Sequence, residues 1–165
     1  MFKYFLKPDV IIASFKTLSF VALNWEVKLV LVDCDNTLLN KATHVFNEDG
    51  KAWIKAMQSQ GIKVVLMSNN KHPLFETLAQ HVNCPLIQMA MKPVSLHYRA
   101  LERRYGLSQK DIVVIGDQLL TDIAGAKLHG YRSVYHKPLS EKDVGYNKPI
   151  RTIEKKWIQD YESTM

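Results

Sequence analysis

The feature that most restricts the fold of this chain is a short apolar run, Leu29–Val32, which ends at two closely spaced carboxylates. An apolar run without polar alternation is typical of a strand buried on both faces, as inside a parallel sheet. Asp33 and Asp35 follow this run. Ligands of open α/β sheets lie beyond the carboxyl ends of the strands, so we predict that these acids lie in a functional site. Two like charges buried there would need a shared proton or a cation, and a divalent metal is the simplest solution.

Further apolar runs, separated by segments of helical length, predict a repeated β-α architecture. Three of the intervening segments end at a glycine, as helices commonly do: Gly61, Gly106 and Gly130. The further strands are predicted at residues 62–67, 84–89, 111–115 and 131–135. Strands that alternate with helices form a mainly parallel sheet covered on both faces. The predicted fold class is therefore α/β, a Rossmann-like three-layer αβα sandwich.

Length, charge and cysteine content restrict the class of protein. A chain of 165 residues suits one domain with a sizeable core. The net charge of +6 favours anionic partners, such as phosphorylated metabolites, nucleic acid or an acidic membrane surface. The two cysteines, Cys34 and Cys84, lack metal-ligand spacing, which favours a reducing, cytoplasmic compartment. No apolar stretch is long enough to predict a membrane-spanning helix.

Residues 1–24 are predicted to form an amphipathic helical segment that precedes a catalytic domain at 25–165. Apolar residues recur there at steps of three and four: Ile11, Phe15, Leu18, Ala22 and Trp25. Two interpretations stay open. The helix could lie in a membrane interface, with Lys3 and Lys7 near anionic headgroups. It could equally pack across the sheet as an ordinary helix.

Polar residues follow four of the predicted strands, and a parallel sheet would bring them to one edge. They form four clusters: Asp33, Asp35 and Thr37; Ser68 and Asn69; Lys92; Asp117 and Asp122. Each cluster also has an alternative interpretation. In the first cluster Asp35 could form an Asx turn or a helix cap, and Thr37 could be a cap. Ser68 and Asn69 could form a plain turn, and Lys92 could be a solvated lysine. In the last cluster Asp117 could form a turn, and Thr121 or Asp122 could cap a helix. None of these alternatives explains why all four lie at strand ends.

The four clusters resemble the motifs of the haloacid dehalogenase superfamily of phosphatases. The first motif, an apolar strand followed by DxDxT, matches residues 33–37, and the second matches the strand that ends at Ser68. The basic third motif matches Lys92, and the fourth, GDxxxxD, matches residues 116–122. The resemblance covers about residues 27–135. It implies the α/β sandwich already predicted from the strand pattern.

The resemblance also implies a role for each motif residue. Asp33 would attack phosphorus, Asp35 would act as general acid and then general base, and Lys92 would offset negative charge. The substrate-binding residues would be Thr37, Ser68 and Asn69. The implied cofactor is Mg²⁺, a hard ion that prefers oxygen ligands. Its ligands would be Asp33, the carbonyl oxygen of Asp35 and Asp117, with Asp122 as a further ligand or as a partner of the ligands.

The spacing of the motifs predicts that no cap domain covers the site. About 25 residues separate Thr37 from the second strand, and a similar number separate Ser68 from Lys92. Neither gap can hold a domain of ordinary size. The site is therefore expected to be open, or closed only by a neighbouring subunit. An open site suits substrates that are large or embedded in a larger structure.

The strings DCDNTL, SNN, KP and GDQLLTDI are similar to those of the phosphatidylglycerophosphate phosphatases, in the capless branch (subfamily IIIA) of this superfamily. This similarity implies a phosphorylated lipid substrate, an anionic membrane surface as a partner and a peripheral position on the inner face of a membrane. The alternative is a phosphatase for a soluble metabolite or a polynucleotide end. Nucleic acid is not favoured, because the basic residues are not interleaved with aromatic ones. A catalytically silent binding module is disfavoured by the intact acids, and nothing in the sequence selects an oligomeric state.

Overall fold

The chain folds into one parallel sheet with helices on both faces. The structure, a computed structural model, describes residues 1–141 and 147–164. Its strands and helices are α1 (Phe2–Phe5), β1 (Val10–Ile12), β2 (Leu29–Asp33), α2 (Glu48–Ser59), β3 (Lys63–Met67), α3 (Pro73–Val82), β4 (Leu86–Ile87), α4 (Leu96–Tyr105), β5 (Ile112–Gly116), α5 (Ala124–His129), β6 (Arg132–His136) and α6 (Asn147–Glu162).

The sheet has the order β1-β6-β5-β2-β3-β4, and every pairing in it is parallel. β2 lies between β5 and β3, so Leu29 is paired with both Ile112 and Lys63. This central position explains why the strand is apolar throughout. The carboxyl ends of β2, β3 and β5 meet at one edge, as the sequence predicted.

Alternate side chains of β2 pack against the two layers of helices, one on each face of the sheet. Val30 and Val32 belong to a cluster that contains residues of α2 and α3. Leu29 and Leu31 belong to a second cluster, with residues of α4 and α5. Each fully buried aliphatic side chain of this kind contributes about 1.5–3 kcal/mol to the free energy of unfolding. The predicted three-layer αβα sandwich is confirmed.

The connections at the carboxyl edge are short. Between β2 and β3 the chain forms α2 after a loop, and between β3 and β4 it forms α3. Neither connection holds an additional domain, so the described residues contain no large cap. The side chain of Asn47 caps α2 by accepting a hydrogen bond from the backbone N–H of Gly50 at 3.1 Å.

The predicted amphipathic helix in residues 1–24 is wrong. Val10–Ile12 instead form β1, which pairs with β6 and extends the sheet that belongs to the rest of the chain. Three consecutive β-branched or aliphatic residues beside a free strand edge favour this pairing. Phe15 lies in a short 3₁₀ turn and packs against Trp53, with ring centroids 5.4 Å apart. Of the residues at the three- and four-residue spacing, Phe15 and Leu18 are buried but Ala22 is exposed, so the spacing does not mark one helical face.

Two helices differ from what the sequence pattern indicates. A proline such as Pro93 is typical of the first turn of a helix. α4 nevertheless begins at Leu96, because the side chain of Ser95 accepts a hydrogen bond from the N–H of His97 and caps the helix there. The charged C-terminal residues form α6, a helix of 16 residues that was not predicted from the sequence. Among the described residues, no helix combines the length and the apolar character needed to cross a bilayer.

Candidate active site

Lys92 lies at the centre of the acidic residues at the carboxyl edge. Its Nζ donates hydrogen bonds to Asp33 Oδ1 at 2.6 Å, to Asp122 Oδ1 at 2.6 Å and to the carbonyl oxygen of Met67 at 3.1 Å. An ammonium group has three protons, so all its donors are used. Only 3% of the side chain is exposed. The solvated-lysine interpretation of Lys92 is therefore wrong.

Asn69 holds the backbone of Lys92 in place. Its side-chain oxygen accepts from the N–H of Lys92 at 2.7 Å, and its amide nitrogen donates to the carbonyl oxygen of Lys92 at 2.9 Å. The side chain of Asn69, predicted to lie in the substrate-binding set, thus positions the lysine. Ser68 is buried, and its Oγ accepts a hydrogen bond from the N–H of Asn70 at 3.0 Å. A hydroxyl that accepts one hydrogen bond can still donate another.

The GDxxxxD segment forms a tight turn around Asp122. Leu119–Ile123 adopt a π-helical turn, so the predicted helix cap at Thr121 or Asp122 is wrong. Asp122 Oδ2 accepts a hydrogen bond from the N–H of Gln118 at 3.2 Å, and its other oxygen contacts Lys92. A Cβ atom on Gly116 would lie 2.2 Å from Cγ of Asp122. Glycine is therefore needed at this position for the turn to close over β5.

Burial determines the charge state of the cluster. Burial raises the pKa of Asp33 to about 7, although the adjacent Lys92 opposes the shift and Asp122 adds to it. Burial also raises the pKa of Asp117 well above its usual range, against the effect of Arg151. For Lys92, burial would lower the pKa, but Asp122 and Asp33 outweigh it and hold the pKa well above the ordinary value. The cluster thus contains three buried carboxyl groups but only two cationic side chains, Lys92 and Arg151, so its positive charges cannot balance three ionised carboxylates.

The acidic residues fit a divalent metal ion. Within the described ranges, Asp33, Asp117 and Asp122 each offer a ligand atom within 4.8 Å of the others. Asp33 Oδ2 and Asp117 Oδ1 are buried and accept no hydrogen bond from the described residues. Burial of such unpaired carboxylate oxygens is energetically unfavourable unless they bind a proton or a cation. A hard cation that prefers oxygen ligands would supply both the ligand contacts and the missing charge.

Asp35 lies at the mouth of the site and not in the buried cluster. Its side chain is 19% exposed, receives a hydrogen bond from Asn70 Nδ2 at 3.1 Å and lies 3.6 Å from Lys41 Nζ. Asn36 adopts a left-handed conformation with φ of 63°. Its side chain accepts from Ser140 Oγ at 2.7 Å and donates to the Ser140 carbonyl oxygen at 3.0 Å. These contacts fix the turn that presents Asp35.

Thr37 is fully buried in the same turn. Its hydroxyl makes no hydrogen bond within the part of the chain that the structure describes, and its carbonyl oxygen accepts from Asn47 Nδ2 at 3.2 Å. Asn47 caps the following helix, so the cap interpretation of Thr37 is wrong. The unpaired hydroxyl remains suited to a substrate or a bound water.

Arg151 is a residue of the site that sequence reasoning missed. From α6, its Nη2 donates to Asp117 Oδ2 at 2.5 Å and its Nη1 donates to the Asp117 carbonyl oxygen at 2.6 Å. Glu154, one turn later, accepts a hydrogen bond from the N–H of Leu120 at 3.0 Å. The apolar spacing of Trp157, Ile158 and Tyr161 could have indicated a helix. It could not have indicated that Arg151 contacts Asp117. The sequence around Asn70 and Lys41 likewise gives no indication that these residues contact Asp35.

Removal of Arg151 is predicted to weaken divalent cation binding. Arg151→Met keeps much of the side-chain volume but leaves Asp117 without its bidentate partner, and loss of such an outer contact typically costs about 10–100-fold in metal affinity. The measurement is the concentration of Mg²⁺ that half-maximally raises the melting temperature. Arg99→Met, which removes an exposed ion pair with Glu102, is the matched control and should leave this concentration unchanged. Equal affinity in the two variants would contradict the positioning role.

Comparison with known proteins agrees with this geometry. Residues 30–91 match a family model described as haloacid dehalogenase-like hydrolase, and residues 89–137 match one described as HAD-hydrolase-like. "Probable phosphatase YqeG" of Bacillus subtilis is 33% identical over 134 residues, which is 79% of this chain and 76% of that protein. Phosphatidylglycerophosphate phosphatase 1, chloroplastic, of Chlamydomonas reinhardtii is 27% identical over 146 residues, 82% of this chain and 54% of that protein.

Solved structures share the fold at low sequence identity. A hypothetical protein from Xanthomonas campestris gives a TM-score of 0.57 at 21% identity, over 70% of this chain and 67% of that one. The 3-deoxy-D-manno-octulosonate 8-phosphate phosphatase of Yersinia pestis gives 0.56 at 16% identity, over 68% of this chain and 74% of that one. The acidic cluster with its buried lysine, the family models and the Bacillus relative agree, and the chain belongs to the haloacid dehalogenase-like hydrolases.

Proposed function

We propose that this protein is a Mg²⁺-dependent phosphomonoester hydrolase that forms an aspartyl-phosphate on Asp33. The observation that carries the proposal is the convergence of Asp33, Asp117, Asp122 and Lys92 in one buried cluster. Membership of the hydrolase family and the phosphatase names of both relatives support the reaction class.

The proposed reaction has two displacements. A carboxylate oxygen of Asp33 attacks phosphorus, the ester oxygen leaves, and Asp35 protonates it. Water then attacks the aspartyl-phosphate while Asp35 accepts its proton, which releases inorganic phosphate and restores Asp33. The half-buried position of Asp35 beside Asn70, with part of the side chain accessible to solvent, suits a group that exchanges protons with both the leaving group and water.

The remaining residues bind and orient the phosphoryl group. Lys92 holds Asp33 in place and lowers the repulsion between that carboxylate and an approaching anion. The buried residues Ser68 and Thr37 would supply hydroxyl groups to bind a phosphoryl oxygen. Mg²⁺ bound by Asp33, Asp117, the Asp35 carbonyl and, in part, Asp122 would neutralise charge on the phosphoryl oxygens.

The substrate that we propose is phosphatidylglycerophosphate, which would be converted to phosphatidylglycerol. The support comes from the Chlamydomonas relative, which is named as a phosphatidylglycerophosphate phosphatase, from the short connections around the site and from the net charge of +6. With a lipid substrate, the proposed localisation is cytoplasmic and peripheral, on the inner face of an anionic membrane.

A comparison of substrates tests the assignment. We expect phosphate release from phosphatidylglycerophosphate in detergent micelles to exceed that from sugar phosphates and nucleotides in kcat/KM by at least on the order of 100-fold, since a soluble ester lacks most of the binding energy. Malachite-green detection of phosphate measures all three classes. A soluble substrate that is preferred by orders of magnitude would exclude the lipid assignment and leave the phosphatase chemistry intact.

The second candidate is a phosphatase for a soluble phosphorylated metabolite, and one feature favours it. A cavity of about 530 Å³ lies beside Arg151, between α6 and the segment that follows β6. Lys137, Ser140 and Lys155 also line it, so a polar leaving group could be held there. The same substrate comparison distinguishes the two candidates.

A further inference from the structure

Four large apolar side chains are exposed on the loop that carries Lys92 and on the first residue of α4. Relative exposures are 61% for Met89, 71% for Met91, 68% for Val94 and 87% for Leu96, and we call these four residues the apolar rim. They flank residues whose side chains point inward: Ala90, Lys92 and Ser95. The same short segment therefore supplies the catalytic lysine to the site and an apolar face to the solvent.

The backbone holds the apolar rim outward. Met89 and Met91 have φ values of 53° and 60°, in the left-handed region that side chains larger than glycine seldom occupy. The N–H of Ala90 donates to the Ser68 carbonyl oxygen at 2.9 Å, and Asn69 holds the backbone of Lys92 from both sides. Strained backbone of this kind persists where the surrounding structure fixes it, and it concentrates at functional sites.

The apolar rim borders the mouth of the active site. The N–H of His72 donates to the side chain of Gln88 at 2.9 Å, and the rings of His72 and His44 lie 5.5 Å apart. These contacts join the rim loop to the two loops that carry Lys71 and Lys41. Lys71 is exposed, and Lys41 lies beside Asp35. The loops that bear the apolar side chains and the two lysines thus contact one another beside Asp35.

We infer that the apolar rim, together with Lys41 and Lys71, is the surface that docks on an anionic lipid bilayer. The inference rests on the proposed lipid substrate. The phosphate of a lipid stays at the bilayer surface, so the edge that bears Asp33 must face the membrane during catalysis. Methionine, valine and leucine side chains would enter the acyl boundary, and the lysines would meet the headgroup phosphates.

The aromatic N-terminus is less suited to this role. Lys3 pairs with Asp160 at 2.5 Å, and Phe2 packs edge-on against Trp157 with ring centroids 6.4 Å apart. Both contacts lie toward the far end of α6. Asp160 is about 14 Å along the helix from Arg151, given a rise of 1.5 Å per residue. Docking through Phe2 would not bring Asp33 to the lipid phosphate directly.

Vesicle binding by the full chain tests the inference. The variant combines Met91→Gln, Val94→Thr and Leu96→Gln, and the control combines Phe2→Gln and Tyr4→Gln. We expect the wild type to co-sediment with phosphatidylglycerol–phosphatidylcholine vesicles more than with phosphatidylcholine vesicles, and the rim variant to bind on the order of tenfold less. The control should bind as the wild type does.

Two further measurements keep the outcome decisive. The rim variant should retain hydrolysis of p-nitrophenyl phosphate, which shows that the site is folded. Leu96→Trp should bind the anionic vesicles more tightly than the wild type while its melting temperature stays unchanged, which excludes binding through unfolded chain. Unchanged vesicle binding by the rim variant would overturn the inference, and so would a wild type that does not bind vesicles.

Two other results distinguish the docking surface from the proposed function and from a contact between two copies of the chain. If phosphatidylglycerophosphate in micelles is hydrolysed but the rim substitutions leave vesicle binding intact, the docking surface is wrong and the proposed function stands. If the substitutions only convert a dimer to a monomer in sedimentation velocity, the rim contacts a second copy and the inference is overturned. Absence of micellar hydrolysis would instead refute the lipid substrate.

Discussion

Replacement of Asp33 by asparagine is expected to reduce phosphatase turnover by about 10⁴-fold or more while the fold is retained. The amide cannot act as the attacking nucleophile. Burial already raises the pKa of Asp33 to about 7, so a neutral side chain is well tolerated there. The melting temperature without metal should therefore stay within roughly 4 °C of the wild type. Phosphate release and thermal melts measure the two effects.

Asp111→Asn provides a matched control for this substitution. Asp111 is also buried, but it lies at the amino end of β5, away from the site, and accepts hydrogen bonds from the N–H and hydroxyl of Ser108 at 2.8 and 2.6 Å. These hydrogen bonds lower its pKa to about 2. The control should lose stability and keep its turnover. Substantial turnover by Asp33→Asn would mean that another group is the nucleophile.

Replacement of Lys92 by methionine is expected to affect both activity and stability strongly. It removes the partner of Asp33 and Asp122, and breaking a buried ion pair on one side typically costs about 3–5 kcal/mol of unfolding free energy. Turnover should fall by about 10²–10³-fold, because charge on the phosphoryl group is no longer offset. Chemical denaturation and phosphate release measure these losses.

The stability loss in Lys92→Met should depend on pH. A carboxyl whose pKa is raised in the folded state binds its proton more tightly there than in the unfolded chain, so stability falls as the pH rises. Without Lys92 the raised pKa of Asp33 can only increase further. The deficit relative to the wild type should therefore be larger at pH 8 than at pH 5, and saturating Mg²⁺ should reduce it. A deficit that is independent of pH would contradict this account.

The sequence predicted those parts of the fold that depend on local pattern. The apolar run Leu29–Val32 predicted all of β2 except its last residue, Asp33, because a strand that is buried on both faces is apolar almost throughout. β1 was missed because a three-residue edge strand has almost no periodicity of its own. The spacing from Ile11 to Trp25 imitated a helix by coincidence.

The sequence identified the site residues better than their contacts. Asp33, Lys92 and Asp122 could be expected at one edge because parallel strands end together. The use of Asn69 to hold the backbone of Lys92, and the reach of Arg151 to Asp117, depend on side-chain packing between distant segments. No local pattern records such packing. Both oxygens of Asp122 likewise accept hydrogen bonds from protein donors, Lys92 and the N–H of Gln118, and no spacing rule could have predicted these contacts.

The position of β2 between β3 and β5 affects the order in which this protein can assemble. β2 and β3 are close in sequence, whereas β5 follows about 80 residues after β2. Entropy favours closure of the shorter loop, so we expect β5, which Asp117 follows, to pair with β2 after β3 does. The repulsion between Asp33 and Asp117 would then arise only when β5 joins the sheet. A cation or a proton that enters at that stage would speed completion of the native state.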